Sequence, residues 1–333
     1  MEKNNIFIKR VIKMLEEISI EIIRMCPNNC IHCSSLSDEC CTEVLDYDHF
    51  ISVVQDAKKL GAKTICLSGG EPFLHDKIVD MIEFVSSLDL HIFVYTSGII
   101  LGENGKKAPL DKNILKIISK KVTKLIFNIE AAKPDTYDKI MGTTGCFEIM
   151  KQSINCANNL SIRTEAHFVP MKLNIGETYD VIDLCKDLKI SELSFLRLVL
   201  QGRALLNKSE IYLSDKELAE YKLLLNKIKE QSELPIRIGI PFTADLSSHR
   251  CKAAKGKLSI RYDGFVFPCE VFKNSNISHG LNGLNPENMH NMSLRDIYDG
   301  SSYLQWVRKL SQDCSQVDCF EICIGQRLID NGA

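Results

Sequence analysis

From residue 18 to about residue 200, short runs of β-branched and apolar residues alternate with longer stretches whose apolar positions recur every three or four residues. The short runs predict strands over Ile18–Met25, Thr64–Ser68, His91–Thr96, Lys124–Glu130, Arg163–Val169 and Leu193–Leu200. The helical periodicity between them predicts helices over Asp48–Leu60, Asp76–Leu88, Leu110–Lys120, Phe147–Leu160 and Glu177–Leu188. A strand followed by an amphipathic helix, repeated along the chain, is the pattern of βα units around a parallel sheet. Six such units make an open α/β barrel rather than a closed eight-fold one.

Beyond residue 205 the rhythm changes. An amphipathic stretch, Ser214–Gln231, leads into a turn-rich region with Pro241, Gly256, Gly264, Pro268 and five cysteines, which predicts a small metal-stabilised domain. The expected division is an N-terminal extension over 1–17, a barrel over 18–205 and a linker helix with a cysteine-rich domain over 206–333. At 333 residues and 45% hydrophobic content the chain is long enough for both.

Charge narrows the partners. The formal net charge is −2 and no long basic run occurs, so no nucleic-acid partner is expected. The first ten residues, Met1 to Arg10, lack the apolar core of a signal peptide, and no segment approaches the length of a membrane span. A cytoplasmic protein without a membrane partner is expected.

Fourteen cysteines are too few for a small disulfide scaffold and too many for indifferent core filling. They gather between Cys26 and Cys41 and again between Cys251 and Cys323, while Cys66, Cys146, Cys156 and Cys185 are scattered. In Cys26-Pro-Asn-Asn-Cys30-Ile-His-Cys33, three thiols follow the first predicted strand, at the strand end where barrel enzymes place their chemistry. Thiolates suit iron–sulfur clusters or zinc, and three of them leave one metal corner open. A zinc site completed by His32, Cys40 or Cys41 is the alternative.

The Cys26–Cys33 spacing resembles the cysteine loop of the radical S-adenosylmethionine (radical SAM) superfamily, with His32 at the position that packs near adenine. Further matches follow in order. Ser68-Gly69-Gly70-Glu71-Pro72 is similar to the GGEP motif, whose main chain meets the methionine amino group; glycines there allow close backbone approach. Ser97 ends a segment similar to the family's TNG, and Asn128-Ile129-Glu130 stands where the family contacts ribose and substrate. Met141 departs from the pattern, because it replaces the arginine that commonly pairs with the cosubstrate carboxylate. Arg163 is the candidate replacement, with a solvated strand charge as the alternative. Leu198 or Leu200 stands where an apolar residue of the family lies against adenine, with core packing as the alternative for each.

Cys251, Gly264 and Cys269, followed by Cys314, Cys319 and Cys323, resemble the auxiliary-cluster domains called SPASM and its shorter form, twitch. Asp263-Gly264 predicts a hairpin turn just before Cys269. Five cysteines imply one auxiliary [4Fe–4S] cluster, ligated by Cys251, Cys269 and a subset of Cys314, Cys319 and Cys323, with a structural zinc as the alternative. Cys40 and Cys41 are candidate hydrogen-atom donors or plain packing thiols.

The resemblance implies a partial (β/α)6 radical SAM barrel with a twitch- or SPASM-like domain. It implies a [4Fe–4S] cluster with an open iron, S-adenosylmethionine as cosubstrate, and a flavodoxin or ferredoxin reductant. One electron would cleave S-adenosylmethionine to methionine and a 5′-deoxyadenosyl radical, which removes a substrate hydrogen atom. A ribosomally made peptide or protein is the leading substrate, with a separate peptide-recognition protein as a possible partner. The alternatives are a sugar or aminocyclitol dehydrogenase and a non-enzymatic zinc-binding interaction protein.

Overall fold

A computed structural model of the chain describes residues 15–102, 104–239, 242, 251–274, 284–313 and 323. Its strands are β1 (Glu17–Ile23), β2 (Thr64–Gly69), β3 (His91–Thr96), β4 (Ile99–Leu101), β5 (Lys107–Pro109), β6 (Lys124–Asn128), β7 (Thr164–Phe168), β8 (Leu193–Phe195), β9 (Ile236–Ile238), β10 (Lys257–Ile260) and β11 (Val266–Phe267). Nine of them form one sheet in the order β11-β10-β1-β2-β3-β6-β7-β8-β9, and β4 pairs with β5 in a separate hairpin. Every pairing in the large sheet is parallel except β10 with β11.

The six strands expected from the sequence are β1, β2, β3, β6, β7 and β8, but the sheet does not end with them. Downstream of residue 205, β9 pairs with β8 and β10 pairs with β1, so both edges are extended by the later part of the chain. The expected turn at Asp263-Gly264 joins β10 to β11, with Gly264 N–H donating to Arg261 O at 2.8 Å. Leu258 and Ile260 on β10 are fully buried, as are Val266 and Phe267 on β11.

The two faces of the sheet differ in chemistry. In register across neighbouring strands, Ile18, Ile65 and Ile92 share one face, as do Ile20, Leu67, Val94 and Leu125. These side chains form one buried apolar cluster with helical residues such as Phe50, Val53, Met81, Leu115 and Ile154. Each removes enough apolar surface to contribute about 1.5–3 kcal/mol. Many of the alternate residues are polar and pair with one another: Lys124 with Glu165 at 2.5 Å, Lys257 with Glu17 at 2.8 Å, and the Tyr95 ring with His167 at 5.4 Å between centroids. Strands of a doubly covered parallel sheet read as continuous apolar runs. Here a polar inner face produces alternation instead.

The helices that matter for the site are α1 (Tyr47–Lys59), α2 (Ile78–Ser87), α3 (Lys112–Ile118), α4 (Pro134–Met141), α5 (Cys146–Asn159), α6 (Thr178–Asp187) and α7 (Gly202–Leu206). Asp46 caps α1 by accepting from the amides of Asp48 and His49, and Asp111 caps α3 in the same way through Asn113 and Ile114. Further along the chain, α4 is a short helix that the hydrophobic periodicity does not announce. It opens on Pro134 and closes on Gly142 at φ 64°.

Because β10 completes the barrel edge, its core residues should unfold with the rest. Leu258→Ala is expected to lower a single unfolding transition of the apo-protein by about 2–4 kcal/mol in urea. Two transitions, of which only one moved, would mean that the later segment folds as an independent domain.

Candidate active site

At the carboxyl ends of the strands lies a cavity of about 260 Å³. Its lining includes Cys26, Cys30, His32 and Cys33 from the loop after β1, Gly69 at the end of β2 and Gly70 just past it, Ser97 after β3, Asn128 at the end of β6, and Leu198 beyond β8. Nine residues singled out from the sequence therefore share one concave surface. Tyr95, Met141 and Arg197 join them.

The cysteine loop is held by its neighbours along its backbone. Asn29 N–H donates to Met141 O at 3.1 Å and Ile31 N–H to Ile140 O at 3.0 Å, which fastens the loop to the end of α4. On the other side, Arg203 Nε donates to Cys30 O at 2.8 Å, its Nη2 to Ser37 O at 2.6 Å, and its amide to Cys33 O at 2.9 Å. Asn207 Nδ2 donates to Ile31 O at 2.9 Å. Two close approaches depend on missing side chains. A Cβ on Gly70 would lie 2.0 Å from Met25 O, and one on Gly142 would lie 2.1 Å from Asn29 O. Gly70 thus owes its identity to the protein's own chain just before Cys26 as much as to any ligand.

Glu71 is buried behind the cavity wall and does not line it. Its carboxyl accepts from Thr96 Oγ1 at 2.7 Å, Ser97 N at 2.8 Å, Ser97 Oγ at 2.7 Å and Phe73 N at 3.3 Å, so it fixes the turn after β3 against the turn after β2. Burial pushes it up to about 7 against those four donors. Pro72 begins a short helical turn over Pro72–Leu74 and also lies outside the lining. Glu130 is a second buried brace: it accepts from Val169 N at 2.9 Å and lies 3.3 Å from His32 Nε2.

Two expectations are corrected. Arg163 precedes β7, at the opposite end of the strand from the cavity, and its half-exposed guanidinium pairs with Glu165 at 2.9 Å. Its place is taken by no residue at position 141, since Met141 is buried with its Sδ 3.8 Å from Cys30 Sγ. The cationic side chain in the lining is Arg197. Cys40 and Cys41 do not line the cavity either; Cys40 is exposed, and the Cys41 thiol donates to Asp38 Oδ1 at 3.3 Å.

The donor set fits the group that the cysteine motif implies. Burial raises the Cys30 thiol well above its ordinary range, and the neighbouring Cys26 and Cys33 raise it further. Three thiolates in one cavity therefore need a strongly cationic centre to stay charged. An iron–sulfur cluster offers each of the three thiolates a separate iron. Three polar atoms of the lining, Asn28 Nδ2, His32 Nδ1 and Ser37 Oγ, are buried without a hydrogen-bond partner among the described residues, as a polar ligand beside the cluster would require.

A second group of thiols lies in the later segment. Burial raises the Cys269 thiol well above its ordinary range, and nearby Cys323, Glu270 and Cys251 raise it further. Cys314 and Cys319 lie outside the described residues.

Sequence reasoning missed Arg203, Asn207 and Arg197. Gly202-Arg203, just past the expected strand end at Leu200, was a usable signal, because glycine then arginine there marks a close approach with a donor beside it.

Residues 20–188 match the family model of the radical SAM superfamily. A PqqA peptide cyclase of Rhizobium meliloti (strain 1021) is 25% identical over 308 residues, spanning 89% of this chain and 78% of the relative. A probable GTP 3′,8-cyclase of Methanosarcina mazei is 25% identical over 282 residues, spanning 76% of each. Two crystal structures of Streptococcus suis SuiB share the fold. The one bound to S-adenosylmethionine superposes with a TM-score of 0.73 at 16% identity, covering 94% of this chain and 74% of that one. The one bound to precursor peptide SuiA superposes with a TM-score of 0.71 at 15% identity, covering 93% and 70%.

Two outcomes follow from this geometry. Gly142→Ala places a methyl against Asn29 O in a left-handed backbone, so stability should fall by about 2–4 kcal/mol and iron retention with it; unchanged urea midpoint and iron content would contradict the clamp. Glu71 is raised in the folded state, so its contribution is complete below about pH 4.5 and is lost as pH rises through about 7. The apo-protein should lose on the order of 2 kcal/mol between pH 5 and 7.5, and Glu71→Gln should flatten that slope in urea titrations at each pH.

Proposed function

This chain belongs to the radical SAM superfamily, and we propose that it is a peptide-modifying enzyme of that family. The family implies a [4Fe–4S] cluster and S-adenosylmethionine. The observation that carries our reading is the convergence of Cys26, Cys30 and Cys33 on one cavity with Gly69, Gly70, Ser97 and Asn128. When bound, the cluster and S-adenosylmethionine supply a 5′-deoxyadenosyl radical able to abstract hydrogen from an unactivated carbon.

We assign the protein's own groups the following roles. Cys26, Cys30 and Cys33 would hold the cluster. The main chain at Gly69 and Gly70 receives the methionine amino group, with Glu71 keeping that turn rigid. Glu130 orients His32 toward the adenine side, where Leu198 supplies an apolar surface, and Asn128 faces the ribose and substrate. Such a pre-formed concave pocket would hold the target carbon close to the reacting centre.

A peptide substrate is supported by the relative named as a peptide cyclase, which this chain matches along most of its length. The fold shared with an enzyme solved with its precursor peptide is consistent with it. Cys251, Cys269 and Cys323 are the proposed ligands of one auxiliary cluster, with Cys314 or Cys319 available as a fourth. A cluster there would accept the electron left on the substrate or grip the substrate itself. A flavodoxin or ferredoxin is the proposed reductant, and a separate peptide-recognition protein remains a compatible partner.

Anaerobic reconstitution tests the reading. Wild-type protein should hold about eight irons per chain and form 5′-deoxyadenosine, and a peptide encoded beside the gene should change mass. Cys26→Ala, Cys30→Ala or Cys33→Ala should abolish 5′-deoxyadenosine formation, whereas Cys251→Ala or Cys269→Ala should remove about four irons and stop product formation. Zinc in place of iron, with no cleavage of S-adenosylmethionine, would refute the enzyme; iron unchanged in the Cys251 and Cys269 variants would refute the auxiliary cluster.

A further inference from the structure

Beside the cysteine loop lies a buried ion pair to which the proposed chemistry assigns no role. Lys273, on the segment that continues from Cys269, is 7% exposed, and Glu21 on β1 is 1% exposed. Lys273 Nζ contacts Glu21 Oε1 and donates to Ser35 Oγ at 2.8 Å, and Ser35 Oγ donates to Glu21 Oε1 at 2.7 Å. The next residue, Asn274, donates through Nδ2 to Ser34 O at 2.8 Å, while Arg261 Nη1 donates to Lys273 O at 2.7 Å. The segment after Cys269 is therefore tied to the two residues that follow Cys33.

Stability does not account for this arrangement. A buried ion pair recovers little beyond its desolvation cost, and an apolar pair of the same volume is often as stable or more so. This pair is also incompletely satisfied, because Glu21 Oε2 has no partner among the described residues. Its location is more informative. Cys33, Ser34 and Ser35 all line the cavity, and the anionic groups whose charges reach Lys273 are Glu21, Cys33 and Glu270. Glu270 is itself paired with Lys257 at 3.1 Å, and Arg261 with Asp263 at 2.7 Å. Lys273 thus touches the carboxylate of β1 and Ser35, two residues past Cys33, and its charge is felt at that thiol.

We propose that Lys273 is a positioning residue whose fixed charge, held by Glu21 and Ser35 beside Cys33, raises the reduction potential of the cluster on Cys26, Cys30 and Cys33. The inference rests on the radical SAM reading of those three thiols. Cluster potentials respond to nearby charge and to burial, and a positive group near a ligating sulfur favours the reduced, more negative form. The electron that starts the reaction then enters more readily. Glu21 opposes the effect, and its distance from Cys33 sets how much of it survives.

The test is an anaerobic redox titration of the reconstituted full chain, following by EPR the reduced-cluster signal that changes when S-adenosylmethionine is added. At a fixed potential, Lys273→Met should lower the reduced-to-oxidised ratio on the order of tenfold, which is about 59 mV for one electron. Glu21→Gln should raise the ratio, and Lys273→Arg should hold it within about threefold of wild type. A purely structural role would move Lys273→Met and Glu21→Gln in the same direction, and that result, or no movement in either, overturns the proposal. Should Lys273→Met fail to fold, Glu21→Gln decides alone: a rise supports the charge effect and a fall or no change refutes it. Absence of any signal sensitive to S-adenosylmethionine in the wild-type protein would refute the radical SAM reading instead.

Discussion

Everything in the site depends on one unfavourable act, the confinement of three thiols in a buried cavity. Burial, and then the charges crowded around them, raise the thiols of Cys26 and Cys30 well above their ordinary range, so without a partner these two stay protonated. The backbone nevertheless keeps them together, because the loop that carries them is bonded to α4 on one side and to Arg203 and Asn207 on the other. A loop clamped at both flanks cannot relieve the crowding by opening. The crowding is relieved by a multivalent cationic centre, and the fold is arranged to receive one.

The same logic extends outward. Glu71 and Glu130 are buried carboxyl groups that line nothing, yet each ties together two strand ends of the cavity floor, one through Thr96 and Ser97 and the other through Val169. The polar inner face of the sheet continues this pattern below the cavity, with Lys124–Glu165 and Lys257–Glu17 pairing across adjacent strands. Among the described residues no helix is long and apolar enough to cross a membrane.

How much was legible from the sequence follows from how local each feature is. The six central strands and the cysteine loop were readable because a strand, a turn and three thiols within eight residues leave a dense local record. The glycines and Glu71 were readable as a motif, though not for the reason the structure gives, since Gly70 is excluded from bearing a Cβ by Met25 O. Arg163 was misplaced because charge was considered without strand direction: it stands at the amino end of β7, and barrel chemistry gathers at carboxyl ends. The pairing of β10 with β1 and the contact of Lys273 with Glu21 and Ser35 join residues more than two hundred positions apart, and no local pattern records them. Helix α4 escaped because it is too short for periodicity, although Pro134 and Gly142 bracket it correctly.

The central claim is that three thiols hold a cluster whose fourth corner faces S-adenosylmethionine, and EPR of the reduced protein with and without that cosubstrate tests it most directly. A signal whose shape and g-values change on addition, and which is lost when Cys30 is replaced by alanine, is the predicted result. A signal indifferent to S-adenosylmethionine, or one that survives the loss of Cys30 unchanged, would contradict it.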